Sequence, residues 1–560
     1  MSSRDAQPLA LGLDFGTESV RALLVTLAGQ ELGSAVVPYA HGQITRTLPG
    51  TGETLPPEFA LQHPQDWLDA SAQAVHAAMR QAGAHPQQVI GIGVDFTSCT
   101  MLPARRDGTP LCLLPHLAAE KYAWPKLWKH HAAQRQTQRF NEVARQRQER
   151  WLARYGGMVG LEWFFPKILE TLEEAPAVYE AADVWLEAGD WYVWQLVGGE
   201  ADALPRSTCQ AGYKALWHAQ EGYPSRAFFA AVHPDLADVV ERKMPGRLLA
   251  PGQKAGGLCP QMAQRLGLVP GTAVSAAIID AHAGVPGAGV ADPGTLVMVM
   301  GTSSCYMLNA QEERQVPGIA GVVEGGILPG YFGYETGQAA VGDAFDWCRR
   351  LTGRDFAELD ADAAKLPPGA QGVLAMDWLN GCRTPLMDGS LRGAVLGLGL
   401  HHGPAHVYRA LVEATGFGLR WIVEVLREGG VPVERFVATG GLPHHNPLLV
   451  QIYADILGEP ILIHPSRQGP ALGAAILGVL AAGAEASGFD SPAEAVHAMA
   501  AADDRAPQRQ PRRVQPRPEA VRAYEPIYRQ YRQLADMLQR RCEPSPVDSS
   551  AEASVVTSQR

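Results

Sequence analysis

The sequence predicts an α/β protein made of two related halves with a cleft between them. Two observations carry this prediction: a Gly-Thr turn lies between two β-prone runs at residues 16–19, and a second such turn lies at residues 301–304. Because each turn follows an apolar strand, the pair indicates a duplicated architecture with one ligand-facing turn in each half. The length of 560 residues fits this arrangement, since single domains usually contain about 100–200 residues.

The composition excludes several classes of protein. Hydrophobic residues make up 46% of the chain and charged residues 19%, which is ordinary for a globular protein. The net charge of −11 argues against binding to nucleic acid or to an anionic membrane surface. The N-terminus has no signal-peptide pattern, and the 8 cysteines have the spacing of neither a zinc site nor a disulfide framework. We therefore expect free thiols and a cytoplasmic location.

The first half begins with a strand, a turn and a second strand. Residues 9–13 form a nearly continuous apolar run, and residues 20–25 form another after the turn. Helical spacing of Trp67, Ala74 and Ala78 predicts a helix over residues 64–82. Further elements of this half are predicted from the same kind of pattern: a buried strand at 89–95 and a polar, solvent-exposed helix within 132–154.

The second set of elements begins near residue 270. Apolar or helical patterns predict strands at 274–279, 295–300 and 436–439, and helices at 281–290, from Asn446 onward, and at about 518–541. Residues 471–486 are apolar but shorter than the roughly 20 residues of a membrane span, so they predict a buried helix. The last residues, 542–560, lack periodicity and are predicted to be a disordered tail.

The two Gly-Thr turns have the chemistry of phosphate-binding sites. Gly16 and Gly301 allow close approach of a ligand to the backbone, and the hydroxyls of Thr17 and Thr302 add hydrogen-bond donors. A tight turn with no ligand is the alternative for either turn alone. The presence of a second turn and of a later strand end, at residues 436–441, favours the phosphate-binding interpretation.

Two charged residues flank the first turn. Asp14 lies at the end of the first strand and is a candidate ligand for Mg²⁺, which prefers carboxylate oxygens. Arg21 lies four residues after Thr17 and is a candidate phosphate contact, because a guanidinium group pairs well with phosphate oxygens.

Asp280 is the candidate catalytic residue. It ends an apolar strand and precedes Ala281-His282-Ala283-Gly284, small groups that leave room for a ligand. A carboxylate in this position could accept the proton of a hydroxyl that attacks a phosphate. The alternative is a helix N-cap, for which Asp is favoured, and both roles can hold together.

Other nucleotide-binding classes fit the sequence less well. There is no GxxxxGK[ST] loop, which excludes a Walker-type NTPase, and no N-terminal GxGxxG, which argues against a dehydrogenase. An actin-like or chaperone-like switch would need a polymerising or peptide-binding region, and a sugar-sensing regulator would need a helix-turn-helix arm. The sequence shows neither pattern.

Several motifs together resemble the FGGY carbohydrate kinases, which share an actin-like (ribonuclease H-like) ATPase fold. The resemblance runs from about residue 9 to residue 482. It includes the first phosphate turn at 11–21, a C-terminal signature beginning at 393–398, and an adenosine-binding element at 438–441 with Asn446. Within the family, segments 91–98, 187–191, 206–214, 334–338 and 377–385 look most like those of members that phosphorylate L-ribulose.

The resemblance implies roles for individual residues. Asp280 would be the catalytic base, Lys214 and Glu335 would hydrogen-bond the sugar, and the backbone near Ser98 would close the sugar pocket. Thr17, Gly301 and Thr302 would hold the phosphates of ATP, bound with Mg²⁺. The residues that would face the adenosine are Gly440, Gly441 and Asn446.

The resemblance has two departures. Ser275-Ala276-Ala277 stands before Asp280 where many members have glycines, and Lys167 is not followed by the usual aromatic residue, so its segment is given no substrate contact. The resemblance also implies a division into an N-terminal domain at 8–284, with sugar and first phosphate turn, and an adenosine-binding C-terminal domain at 285–541.

The implied reaction is ATP-dependent phosphorylation of L-ribulose to L-ribulose 5-phosphate in L-arabinose catabolism. Another family member's reaction, on xylulose, D-ribulose or a polyol, is the alternative. The Arg-rich C-terminal helix leaves two interpretations open, a homodimer contact or a solvated face.

Overall fold

The structure is a computed structural model that describes residues 7–501 and 510–542. Its strands, in chain order, are β1 (Leu9–Phe15), β2 (Ser19–Thr26), β3 (Glu31–Pro38), β4 (Val89–Phe96), β5 (Met101–Ala104), β6 (Val184–Glu187), β7 (Pro205–Ser207), β8 (Arg247–Leu249), β9 (Lys254–Gly257), β10 (Ala273–Ser275), β11 (Ile278–Ile279), β12 (Thr295–Met300), β13 (Ser304–Ala310), β14 (Gly321–Glu324), β15 (Phe332–Gln338), β16 (Leu374–Met376), β17 (Ala394–Leu396), β18 (Arg435–Thr439), β19 (Ile461–Ile463) and β20 (Arg512–Val514).

Its α-helices, in chain order, are α1 (Pro64–Ala82), α2 (Gln134–Gln146), α3 (Phe164–Glu174), α4 (Pro176–Ala181), α5 (Ala188–Val197), α6 (Thr208–Lys214), α7 (Arg226–Val232), α8 (Val239–Lys243), α9 (Pro260–Leu266), α10 (Asp280–Gly287), α11 (Gly342–Thr352), α12 (Phe356–Ala363), α13 (Pro404–Glu428), α14 (Gly441–His445), α15 (Pro447–Leu457), α16 (Gly469–Ala482), α17 (Ala484–Ser487), α18 (Pro492–Ala500) and α19 (Pro518–Cys542).

Two large sheets with matching topology form the two halves. The first has the order β3-β2-β1-β4-β10-β9, with β11 also paired to β4, and the second has the order β14-β15-β13-β12-β18-β19-β20. In each sheet an antiparallel hairpin, β1–β2 or β12–β13, is followed by a strand parallel to its first member, β4 or β18. The predicted duplication is therefore confirmed, and each Gly-Thr turn joins the two strands of its hairpin.

Helices α10 and α16 pack against each other between the two sheets. Helix α16 lies on β1 and β4 so closely that a Cβ on Gly93 would be 1.7 Å from the carbonyl oxygen of Ala474. The two helices are equally close, because a Cβ on Gly473 would be 1.8 Å from the carbonyl oxygen of Ala283. Only glycine fits at these crossings, so the small residues of α16 allow one helix to contact both its partner helix and the first sheet.

The buried apolar residues form separate cores for the two halves and a shared core between them. The shared core contains Ala283 and Ala475 of the two central helices together with Val297 and Met307 of the second sheet. A further core, containing Phe165 and Trp185, belongs to an insertion of the first half built from α2, α3, α4 and α7. The two halves therefore meet in a packed interface and are not independent units.

Most predicted elements match the structure. Helix α1 and strand β12 have the predicted bounds, and β1, β2, β4 and β18 differ from prediction by one or two residues at an end. The apolar segment 471–486 was predicted to be one buried helix, and this is confirmed as far as Ala482, where α16 ends. Residues 484–486 are exposed and belong to the separate short helix α17. The predicted helix near Asn446 begins with that residue as the N-cap of α15.

Two predictions were wrong in detail. The strand predicted at 274–279 is interrupted between β10 and β11, because the backbone N–H of Ala276 donates to the carbonyl of Gln253 instead of to a strand partner. The polar segment 132–154 does form a helix, α2, but Phe140 and Ala144 are buried in the core of the insertion. The polar composition concealed this apolar stripe.

The helix predicted near the C-terminus is α19, which buries Tyr524, Tyr528 and Tyr531 against the second half. Cys542, where the tail was predicted to begin, still belongs to this helix, and the rest of the predicted tail, 543–560, lies outside the described residues. The domain division at 284/285 stays a prediction, and α16, from the second predicted domain, packs on the sheet of the first.

No single helix among the described residues is long and apolar enough to cross a membrane. Helix α16 and the segment Ala484–Ala500 meet that criterion jointly, by length and composition, but they are bent by 116° relative to each other.

Candidate active site

Three carboxylates lie at one edge of the first sheet. Asp14 of β1 is directly opposite Asp95 of the parallel strand β4, and Asp280 follows β11, whose Ile278 is also opposite Asp95. Asp14 is paired with Arg21, whose Nη1 donates to Oδ2 at 2.9 Å. Neither oxygen of the buried Asp95 carboxylate has a hydrogen-bond partner among the described residues. This edge therefore concentrates negative charge that a cation could neutralise.

The environment of Asp280 suits a general base. Burial raises its pKa to about 7, partly offset by the backbone N–H of Ala281, which donates to Oδ1 at 2.7 Å. The charge of Asp14 raises the pKa further, and the charge of Lys214 opposes that effect. Asp280 is the first residue of α10, and Ile279 is the N-cap, so the sequence alternative of an Asp N-cap is wrong. A carboxylate with a pKa close to neutral can both accept and release a proton.

Lys214 and Glu335 form a buried ion pair across the two halves. Lys214 ends α6 in the first half, and its Nζ donates to both carboxylate oxygens of Glu335 on β15, at 2.9 and 2.8 Å. Burial alone would lower the pKa of Lys214, but the Glu335 charge outweighs it and the pKa is raised. Burial would likewise raise the pKa of Glu335, and Lys214 reverses that shift. Both groups are therefore charged and able to hydrogen-bond a polyol.

Two further polar side chains are buried in this region, and one of them, His282, is next to the pair. His282 Nε2 is 3.5 Å from Glu335 Oε2, and neither ring nitrogen of this buried histidine has a hydrogen-bond partner among the described residues. Burial lowers the pKa of His282 to about 4, so the ring is neutral at physiological pH. Gln210, one helical turn before Lys214, is also buried with both ends of its amide unpartnered in the described part of the chain. Unsatisfied buried groups of this kind need a ligand or water.

The Ser98 segment is fixed by a buried lysine. Ser98 follows β4, and the next residue, Cys99, has a left-handed backbone with φ of 55°. Lys167 of α3 donates to the carbonyls of Cys99 and Leu127 at 2.8 and 2.9 Å. Lys167 was given no substrate contact from the sequence, and the structure shows its ammonium group bound to backbone carbonyls. It holds the turn beside the strand end in place.

The first Gly-Thr turn is held by its neighbours and leaves one face open. The N–H of Gly16 donates to the carbonyl of Ser19 at 3.0 Å, and Gln62 Nε2 donates to the carbonyl of Thr17 at 2.8 Å. Trp128 Nε1 donates to the Thr17 hydroxyl at 3.1 Å, which leaves the hydroxyl proton free to donate. A Cβ on Gly16 would meet only the Ser19 oxygen, at 3.5 Å, so a ligand can approach the backbone here.

The second turn has the same construction. The N–H of Gly301 donates to the carbonyl of Ser303 at 3.0 Å, and the carbonyl of Thr302 accepts from the N–H groups of Val341 and Asp343, at 2.9 and 3.0 Å. Gly440 lies against this turn, because its Cβ would be 2.5 Å from the carbonyl oxygen of Met300. Its φ of 92° is in the left-handed region, where glycine is favoured. Gly441 has no atom within 4 Å of its Cβ position and leaves the surface beside it open.

The amide of Asn446 is engaged inside the protein. Its Oδ1 accepts from the N–H of Leu449 at 2.9 Å, and its Nδ2 donates to Asp360 Oδ1 and to the hydroxyl of Tyr408, at 2.9 and 3.1 Å. Asn446 thus shapes the start of α15 next to the Gly440 turn. A direct contact of its side chain with adenosine stays a prediction.

The structure brings Lys214 and Glu335 into contact and places Asp14 and Asp280 at the strand ends next to Asp95, and it adds residues that sequence reasoning missed. Asp95, Gln210 and His282 have buried polar atoms without a partner among the described residues, and Arg383 contacts Cys305 of the second sheet. Asp95 could have been found from the sequence, because it ends its strand as Asp14 ends the first. The others needed the three-dimensional neighbourhood of Glu335.

The fold and the site define a two-domain protein of the actin-like ATPase fold, with buried charged and polar side chains between the halves and one Gly-Thr turn in each half. The chain belongs to the FGGY family of carbohydrate kinases, whose N-terminal domain model matches residues 9–287 and whose C-terminal domain model matches residues 296–482. It is an ATP-dependent carbohydrate kinase.

Individual relatives agree with this family membership. The chain is 47% identical over 540 residues to a protein of Shouchella clausii named ribulokinase, covering 94% of both chains. It is 46% identical over 499 residues to a ribulokinase of Mycolicibacterium smegmatis, covering 86% of this chain and 87% of that protein. The fold resembles that of a xylulose kinase from Brucella ovis, with a TM-score of 0.77 at 21% identity over 95% of this chain and 99% of that chain.

Proposed function

We propose that the protein transfers the terminal phosphoryl group of ATP to the 5-hydroxyl of L-ribulose, in L-arabinose catabolism. The observation that carries the proposal is the 44–47% identity, over most of the chain, to proteins of several organisms that bear the name ribulokinase. The site supports it, because the Lys214–Glu335 pair and Asp280 provide charged and polar groups suited to a small polyhydroxylated ligand.

In this mechanism Lys214 and Glu335 bind hydroxyls of the sugar and orient it toward Asp280. Asp280 accepts the proton of the attacking hydroxyl. The open backbone at Gly16 and Gly301, with the hydroxyls of Thr17 and Thr302, binds the phosphates of ATP, and Arg21 contributes positive charge next to them. Closure of the halves positions the reactants and excludes water, the two contributions on which phosphoryl transfer mainly depends.

Mg²⁺ fits the carboxylate edge of the first sheet. Asp95 has two buried carboxylate oxygens without a hydrogen-bond partner among the described residues, and Asp14 is directly opposite it. Carboxylate oxygens are the protein ligands that Mg²⁺ prefers. We assign Asp14 and Asp95 as the residues that hold the ion, directly or through its water ligands. When bound, the ion neutralises charge on the phosphates of ATP.

A coupled assay of ADP release tests the substrate. L-ribulose, D-ribulose, both xylulose enantiomers and polyols such as ribitol and glycerol are compared at equal concentration with saturating ATP. We expect the highest kcat/KM with L-ribulose. A higher kcat/KM with xylulose, D-ribulose or a polyol would replace L-ribulose with that sugar, and no sugar-dependent release at all would reject kinase activity on this class.

We further propose a cytoplasmic location, where ATP is available and thiols stay reduced. The seven cysteines whose side chains are described are all unpaired. A homodimer is the other proposal, and light scattering of the purified chain tests it. The tyrosine-rich face of helix α19 is already packed against the second half of the same chain. A dimer contact through this helix would therefore be formed by its exposed, Arg-rich face.

A further inference from the structure

One arginine beside the sugar pocket has no role in the reaction described so far. Arg383 lies on the loop between β16 and β17, and its guanidinium extends over β15. Its Nη1 is 3.6 Å from Cys305 Sγ, and a Cβ on Gly337 would be 3.3 Å from the same nitrogen. Glycine at position 337 therefore leaves the space that the guanidinium occupies.

The loop is fixed to the strand at this point. The N–H of Thr384 donates to the carbonyl of Gly337 at 3.2 Å, and the N–H of Gly337 lies 3.3 Å from Thr384 Oγ1, to which it donates. The position of Arg383 is therefore set by backbone contacts of the adjoining residue. A side chain anchored in this way is pre-organised for a ligand.

Strand register places Arg383 between the phosphate turn and the sugar-binding pair. Gly337 is opposite Cys305, and Glu335 is opposite Met307, which packs in the shared core between the halves. Because side chains alternate along a strand, Cys305, Met307 and Glu335 share the face toward the first half. Arg383 lies over the Gly337–Cys305 pair, closer than Glu335 to the turn that contains Thr302.

Arg383 also differs from the neighbouring cations in its contacts, because the carboxylates of Glu335 and Glu162 act on it only from beyond ion-pair distance. Glu335 neutralises Lys214, and Asp14 neutralises Arg21. Within residues 7–501 and 510–542, no carboxylate oxygen lies within 4.0 Å of the Arg383 guanidinium, whose one hydrogen bond goes to the weakly accepting thiol of Cys305. The site therefore holds a cation whose hydrogen-bonding capacity is largely unused.

We propose that Arg383 is a catalytic residue that binds the phosphoryl group during its transfer. The proposal rests on the function proposed above. The acceptor hydroxyl oxygen forms a bond to the γ-phosphorus while the bond from that phosphorus to its bridging oxygen breaks. ADP leaves with that electron pair, and the hydroxyl proton passes to Asp280. Arg383 hydrogen-bonds oxygens of the group in transit and remains bound to the new sugar phosphate.

The charge of the ligand favours the phosphoryl group over the sugar. A neutral sugar needs hydrogen bonds but does not compensate a full positive charge, whereas a phosphoryl group in transit carries negative charge on its oxygens. The planar guanidinium also matches two phosphate oxygens at once. An arginine between donor and acceptor sites is placed to interact most strongly when the group is between them.

The test compares Arg383→Met and Arg383→Lys with wild type and with Arg522→Met, which removes an exposed arginine of α19. We expect kcat to fall at least about 100-fold in Arg383→Met, with both KM values within about threefold of wild type. Arg383→Lys keeps the charge and should recover part of kcat, while Arg522→Met should match wild type. Thermal melting shows whether each variant is folded. If Arg383→Met is not folded, the kcat of Arg383→Lys tests the proposal instead.

Calorimetry adds a measurement that does not depend on turnover. Arg383→Met should bind the sugar phosphate product about tenfold more weakly and the free sugar as tightly as wild type. A kcat near wild type, or a loss of free-sugar affinity at unchanged kcat, would overturn the proposal. The kcat, KM and affinity of each variant are compared with those of wild type, using whichever sugar wild type phosphorylates best. If wild type does not phosphorylate L-ribulose but phosphorylates another sugar, only the proposed substrate is rejected, and the role of Arg383 is still tested.

Discussion

Lys214 of the first half and Glu335 of the second half form an ion pair that joins the two halves, with Nζ at 2.9 and 2.8 Å from the two carboxylate oxygens. Both side chains are buried. Because desolvation opposes the attraction in such a pair, removing one partner costs more than the pair itself contributes. We therefore infer that its position reflects the binding of a polar ligand more than stability.

Lys214→Ala and Glu335→Ala should each raise the KM for the sugar by about tenfold or more, because each removes hydrogen bonds to sugar hydroxyls and leaves the other charge unpaired. The KM for ATP should stay close to wild type, since the phosphate turns are untouched. Steady-state kinetics with each substrate varied in turn measures both constants.

The double variant serves as the control for this prediction. Urea unfolding measures the free energy of unfolding of each variant. If the two side chains interact as the distances indicate, the loss of this free energy in the double variant should be smaller than the sum of the losses in the two single variants, by at least about 1 kcal/mol. Equal changes in the KM for the sugar and for ATP would instead indicate a general distortion of the cleft.

Asp280→Asn should lower kcat by about 100- to 10,000-fold, because the amide cannot accept the proton of the attacking hydroxyl. ATP affinity, measured by calorimetry, should change little. Asp536→Asn, at an exposed position of α19, is the matched control and should leave kcat unchanged. A near-normal kcat in Asp280→Asn would reject the assignment of the base.

The activity should depend on pH through Asp280. Burial raises its pKa to about 7, so the carboxyl is protonated, and inactive as a base, below that value. We expect kcat/KM to rise as the pH increases through about 7 and then to level off, measured from about pH 5.5 to about pH 9. If kcat/KM showed no inflection in this interval, as expected for an aspartate with the ordinary pKa of about 4, the proposed environment would be contradicted.

The features that the sequence predicted well are local. The Gly-Thr turns, the apolar strands beside them and the helix cap at Asn446 follow from residue types within a few positions of one another. The same holds for Asp280, which ends a strand and precedes small residues. Motif resemblance then supplied Lys214 and Glu335, which are far apart in the sequence and which the structure brings into contact.

The features that the sequence did not predict depend on distant neighbours. The apolar pattern predicted α16 as a buried helix, but the contact of Ala474 with Gly93 joins elements from opposite ends of the chain. The strand before Asp280 is interrupted because Gln253 binds its backbone. Arg383 lies in a loop without periodicity, and only the space above Gly337 shows where its side chain goes.

Asp95→Asn should stabilise the protein in the absence of Mg²⁺ and abolish most of the stabilisation that Mg²⁺ provides. Burial, together with the nearby charges of Asp14 and Asp280, raises the pKa of Asp95 well above its usual range. Keeping this carboxyl group in the folded protein at neutral pH therefore costs stability, either as a buried charge or through uptake of a proton that the unfolded chain would not bind. The neutral amide avoids this cost. We expect a Tm higher by about 2–4 °C without Mg²⁺.

Thermal melting of wild type and of Asp95→Asn, with and without MgCl2, measures both effects. Wild type should gain stability with Mg²⁺ by mass action, and the variant should gain much less. Equal gains in the two proteins would place the ion elsewhere, and Asp536→Asn again controls for loss of one surface charge.

Gly93→Ala should destabilise the protein by at least about 3 kcal/mol, because the new Cβ would overlap the backbone of α16. The predicted distances are 1.7 Å to the carbonyl oxygen of Ala474 and 2.5 Å to its carbonyl carbon, and neither atom can move without shifting the helix. Since α16 also contacts α10, which begins with Asp280, kcat should fall as well in any protein that remains folded.

Gly389→Ala is the matched control, because no atom lies within 4 Å of its Cβ position and its φ is outside the left-handed region. Chemical unfolding should give nearly the wild-type free energy for this variant and a large loss for Gly93→Ala. If Gly93→Ala unfolded at the wild-type denaturant concentration, α16 could not lie as close to β4 as these distances require, and the coupling of the first sheet to the Asp280 helix through α16 would be wrong.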